Sequence, residues 1–141
     1  MPSPNPDKKR YARAVKAEEH LLAALLANPA YLRKFSARLQ TDTFLTDFNK
    51  RIFDAVSQKI SQNASLMPSS FSDILPQEEI SFISMLLALS TQVGTTEKSF
   101  SDYLEILAQE KKKVEQNASG PLTDDAFLAR IADRRKAENN K

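Results

Sequence analysis

Glu18, Glu19 and His20 are the first residues of this chain whose types could do chemistry together. Two carboxylates beside an imidazole make a conceivable metal site or acid–base pair. Their spacing argues against both. The surrounding AEEHLLAALLAN reads as a helix, and consecutive helical residues point in different directions, so three neighbours do not converge on one ion. A solvated or partly packed histidine is expected.

Other candidates fare no better. Asp124 and Asp125 resemble a carboxylate pair, but they follow Thr123, a good N-cap. In a first helical turn carboxylates are favoured by the helix dipole alone. The two glycines, Gly94 and Gly120, are isolated, so no phosphate-cradling loop is possible. The single histidine lies in no triad pattern, and the absence of cysteine removes disulfides, zinc-thiolate sites and thiol catalysis. Lys111, Lys112 and Lys113 read as a solvated helix face. No catalytic, cofactor-binding or metal-binding residue is therefore assigned, and no cofactor is expected.

The elements that would position any site are helical. With 141 residues, one ordinary domain with a real core is expected. The apolar residues are Leu, Ala, Ile and Phe rather than Val, which favours an all-α chain. A net charge of +2 demands no nucleic-acid partner. No apolar run approaches the ~18–20 residues of a membrane span, and MPSPNPDKKRYARAVK lacks the apolar core of a signal peptide. A cytoplasmic location is expected.

Pro, Ser and Asn at the start are linker chemistry, so residues 1–14 are expected to be a tether from a longer chain. The first strong helix carries Leu21, Leu22, Leu25 and Leu26 on one stripe. Asn28-Pro29 ends it and opens a second helix to about Leu39, burying Leu32, Phe35 and Leu39. Thr46 should cap a third helix with the stripe Phe48, Ile52, Phe53, Val56 and Ile60. A short helix is expected near Phe71 to Leu75, and another opens at Pro76. In ISFISMLLALS apolar residues go nearly all the way round, which places that helix at the centre of the bundle.

A long helix then runs from about Phe100 to Asn117, with Phe100, Tyr103, Leu104 and Leu107 on its first half. The closing SGPLTDDAFLARIADRRKAENNK forms a further helix whose only apolar residues after the cap region are Phe127, Leu128 and Ile131, apart from alanines. Burying each would gain roughly 1.5–3 kcal/mol, against ~1–2 kcal/mol of backbone entropy for every residue fixed. Such a hairpin calls for another surface. The expected layout is a helical bundle over residues 15–97, then a long helix and protruding C-terminal helical hairpin over 98–141.

Two stretches carry a resemblance. AEEHLLAALLANPAYLRKFSARLQTDTFLTDFNKRIFDAVSQKI resembles the opening of the C-terminal helicase-binding domain of bacterial DnaG-type DNA primases. The shared elements are Ala17-Glu18, Leu21-Leu22, Asn28-Pro29, an aromatic turn at Phe44, and Arg51-Ile52-Phe53. The stretch is similar, more loosely, to the N-terminal domain of DnaB-type replicative helicases. SFSDILPQEEISFISMLLAL followed by SFSDYLEILAQEKKKVE looks like the primase version, and the pvD-like segment usual in the helicases is missing.

The resemblance implies a non-catalytic domain that docks primase onto the N-terminal domains of the hexameric helicase, itself a monomer, with no direct nucleic-acid contact. The parent would be a primase whose zinc-binding and polymerase domains lie outside this stretch. Phe127, Leu128 and Ile131 would be the anchors, and Arg130, Arg134 and Arg135 the rim charges. The alternatives are the N-terminal domain of a replicative helicase or helicase loader, self-associating through a similar hairpin, and a nucleic-acid-binding module using Lys8 to Lys16 and Lys111 to Lys113.

Overall fold

The computed structural model describes residues 3–119, which contain no strand. Five α-helices follow in order: α1 (Ala12–Ala27), α2 (Tyr31–Lys34), α3 (Asp47–Ser61), α4 (Gln77–Gln92) and α5 (Glu97–Ser119). Short 3-10 turns, Thr41–Thr43 and Pro68–Phe71, precede α3 and α4. The chain divides into two units, Met1–Leu107 and Ala108–Lys141. The first is the small all-α bundle that the composition and periodicity call for. Of the second, residues 108–119 are described, and there Lys113 pairs with Glu110 at 3.1 Å along the helix. Phe127, Leu128, Arg130, Ile131, Arg134 and Arg135, with the hairpin they were expected to form, lie outside the described residues.

The centre of the bundle is α1, not α4. It packs on both α3 and α4, and every residue from Leu21 to Leu26 is buried. Ala14, Ala17, Ala23 and Ala24 are buried as well, and such small side chains let neighbouring helices approach closely. On α4 the buried positions are Glu79, Phe82, Ile83 and Leu86, a single stripe. Ile80, Met85, Leu87 and Leu89 are only half-buried. Apolar residues all round a helix thus made it partly, not wholly, enclosed.

The second helix is shorter than its pattern suggests. After Lys34 the backbone tightens into turns, with Ser36 N–H donating to Arg33 O and Arg38 N–H to Phe35 O, and Leu39 drops into the core. Aromatic packing fixes this corner. Phe100 of α5 lies with its ring centroid 5.0 Å from Tyr31 and 4.6 Å from Phe35. The Arg38 guanidinium donates to Ser101 Oγ at 2.8 Å, and Lys34 pairs with Glu97 at 3.2 Å.

Thr46 occupies the N-cap position of α3, as expected, yet its side chain makes no capping hydrogen bond. The far end is closed by Asn63 at φ 58°, the left-handed conformation that Asn tolerates better than most residues. Ala64 N–H donates to Lys59 O and Asn63 N–H to Ile60 O, the paired bonds of a Schellman ending. The expected helix near Phe71 is the 3-10 turn, which buries Phe71. Lys59, almost wholly buried, reaches from α3 to hold both carboxylate oxygens of Asp73 at 3.0 and 3.1 Å.

Candidate protein-interaction surface and the buried node beside it

The helix sends Glu18, Glu19 and His20 three ways. Glu18 is fully buried and points at the start of α3. One of its oxygens accepts the backbone N–H of Leu45 at 2.5 Å and of Thr46 at 3.1 Å. The other accepts the Thr46 hydroxyl at 2.7 Å and the Asn49 amide at 2.9 Å. Thr46 Oγ1 in turn accepts from the amide of Asn5, also buried, at 3.0 Å. So part of the segment whose prolines suggest linker is held against the bundle.

A buried carboxylate is costly unless every lone pair is served, and here donors converge on it from two segments. It also sits where the α3 dipole favours negative charge. This explains the missing cap: the Thr46 hydroxyl is diverted to Glu18, and Glu18 receives the backbone donors at the helix entrance. Sequence reasoning missed this node. A signal was available, because Glu18 falls on the same face as Ala14, Leu21, Leu22 and Leu25, a charge inside an apolar stripe.

Glu19 is also buried, paired with Lys8 at 3.3 Å, and its second oxygen has no hydrogen-bond partner among the described residues. His20 is half-buried. Its ring stacks on Tyr103 with centroids 4.8 Å apart and planes 25° apart, and its Nδ1–H donates to the Lys16 carbonyl at 2.9 Å. Among the described residues no group of three or more His, Asp or Glu side chains is placed to hold a metal ion. Also among them, no helix is long and apolar enough to cross a membrane.

Between α1 and α4 runs a groove of about 600 Å³ lined by Lys8, Lys16, Glu19, His20, Met85 and Leu89, among others. On the α3–α4 side, Arg51 pairs with Glu79 and lies over the Phe48 ring at 5.3 Å, while Ile52 and Phe53 fill the core. The conspicuous motifs of the first stretch therefore serve packing. Ala17, Leu21, Leu22 and Phe44 are buried, Glu18 is the cross-tie, and Arg51 joins two helices.

The side chains positioned here hold helices together. Residues 11–109, more than half of the chain, match the family described as the DnaB-like helicase N terminal domain, and the chain belongs to that family. Comparison with curated proteins and with solved structures gave no match.

The family match corrects the primase reading. The chain is a helicase-type N-terminal domain, so the assignments to primase, to a primase parent, and to a monomeric binder of helicase N-terminal domains do not stand. The non-catalytic character of the domain does stand, now on the helicase side. The reason for the misassignment is physical. The shared residues specify helix packing and the Glu18 node, so they report a common helical pattern and cannot separate two proteins that both use it.

Proposed function

We propose that this chain is the non-catalytic association domain of a DnaB-type replicative helicase, acting in the cytoplasm of a bacterial cell to hold helicase copies together. The observation that carries the reading is the family match over residues 11–109. The sequence of the closing segment suits the task. Phe127, Leu128 and Ile131 have the spacing of a short apolar stripe on a helix, and Arg130, Arg134 and Arg135 lie close to them in sequence. Like stripes from two copies bury one another in a self-complementary contact, and the arginines set orientation and association rate.

Sedimentation of the chain alone tests this. A dimer or larger closed species is expected, reduced to monomer by Phe127→Ala with Ile131→Ala. A chain that stays monomeric at every concentration overturns the proposal.

A further inference from the structure

The segment before α1 is anchored on two buried acceptors. Asn5 is itself buried, and its side-chain amide donates to Thr46 Oγ1 at 3.0 Å. Further along, the Lys8 ammonium reaches the buried Glu19 carboxylate at 3.3 Å. The segment is shaped for both contacts. The Asn5 N–H donates to Ser3 Oγ at 3.2 Å, and Asn5 Oδ1 accepts the Asp7 N–H at 2.9 Å, an Asx turn. Lys8 N–H donates to Asn5 O at 3.2 Å and Tyr11 N–H to Asp7 O at 2.9 Å, which leads the turn into α1. Pro4 and Pro6 flank Asn5, and their fixed torsions reduce the entropy lost when the segment docks.

We infer that residues 3–10 are a strap latched onto the bundle, which opens as a unit while the helices stay folded and whose opening loosens the entrance of α3. Opening costs little at the strap itself. Among residues 3–10 no apolar side chain is buried, and segments with few buried apolar contacts open well before the whole domain does. The effect on the bundle is larger. Glu19 Oε2 has no hydrogen-bond partner among the described residues, so departure of Lys8 takes the ammonium from a buried carboxylate already short of donors. Departure of Asn5 takes a donor from Thr46 Oγ1, whose hydroxyl serves Glu18. The Glu18 carboxylate also receives the Leu45 and Thr46 N–H groups. A chain of hydrogen bonds thus runs from the strap through Thr46 and Glu18 to the backbone where α3 begins, and such chains strengthen one another. One anchor is ionic and its lysine is half-exposed, so salt favours the open state. Opening also releases Lys8 beside Lys9 and Arg10, which are exposed. None of this depends on how copies of the chain associate.

The test is hydrogen exchange of the full chain by mass spectrometry, with fragments that separate the strap, the α3 entrance and α4. Lys8→Met removes the charge and keeps an aliphatic stem, and Asn5→Ala removes the other anchor. In the unaltered chain the strap should exchange more slowly than an unstructured peptide and faster than α4. Each variant should speed strap exchange about tenfold, raise exchange at Leu45 to Lys50, and leave α4 unchanged. Raising salt from about 0.1 M to about 1 M should speed strap exchange in the unaltered chain and not in Lys8→Met. Trypsin cleavage after Lys8, Lys9 or Arg10 should follow the same order. Strap exchange at the peptide rate overturns the inference, as does strap exchange in step with α4 or an Asn5→Ala chain that unfolds globally. So does a freed strap that leaves the α3 entrance unchanged, or an equal salt response in the unaltered chain and Lys8→Met.

Discussion

The Glu18 carboxylate accepts the Thr46 hydroxyl at 2.7 Å across 28 residues of chain, and both groups are buried. That bond is one strand of a node joining the central helix to the entrance of α3 and, through Asn5, to the segment before α1. Helix packing by apolar stripes leaves rotation and sliding weakly determined. A buried acid served by donors at fixed positions selects one arrangement.

Glu18→Gln is the sharpest probe of the node. The substitution keeps volume but turns one acceptor oxygen into a donor facing donors. A loss of ~2–3 kcal/mol is expected, the cost of leaving buried donors unmatched. Urea denaturation followed by circular dichroism measures it. A loss within a few tenths of a kcal/mol would mean that the node contributes little.

The α3 ending makes a second prediction. Asn63 at φ 58° should accept Gly with little change, whereas Asn63→Val, β-branched and strained in that region, should cost ~1–2 kcal/mol. Comparison of the two midpoints decides. Equal stability of the Gly and Val variants would show that the Schellman ending does not constrain α3.

Phe100 holds the start of α5 to the α2 corner through Tyr31 and Phe35. Phe100→Ala empties a fully buried ring site and should cost ~3–5 kcal/mol. Hydrogen exchange should then rise at Tyr31 to Phe35 before it rises in α1. Uniform loss of protection would show that the corner does not open separately.

The contrast between what the sequence discloses and what it hides follows from range. The stripes of α1, α3 and the first half of α5 are local, and Leu21-Leu22, Ile52-Phe53 and the set Phe100, Leu104 and Leu107 point inward as their spacing demands. Which helix is central is not local. It depended on alanines, whose small size allows close approach, and the large apolar residues of α4 drew attention to the wrong helix. Glu18 escaped notice because charged side chains are read as solvated unless a partner is visible, and its partners lie far along the chain. The family followed the same limit, since residues that fix a helical pattern do not say which replication protein uses it.

Lys59 and Asp73 give the pH prediction. The hydrogen bond from the Lys59 ammonium, more than its charge at a distance, holds the Asp73 carboxyl below its ordinary value of 3.8. A carboxylate whose folded value is depressed stabilises the fold fully above its unfolded value, and that contribution is lost as pH falls through the folded one. The pair therefore ties the turn before α4 to α3 at neutral pH, and its contribution fades only as pH falls beneath the ordinary carboxylate value of 3.8 toward the lower folded one. Asp73 is largely exposed, so the effect should be modest and screened by salt. Thermal midpoints of the chain and of Asp73→Asn, taken from pH 7 down to pH 2, should differ at neutral pH and converge in acid. A constant difference across that range would show that Asp73 contributes through packing rather than through its charge.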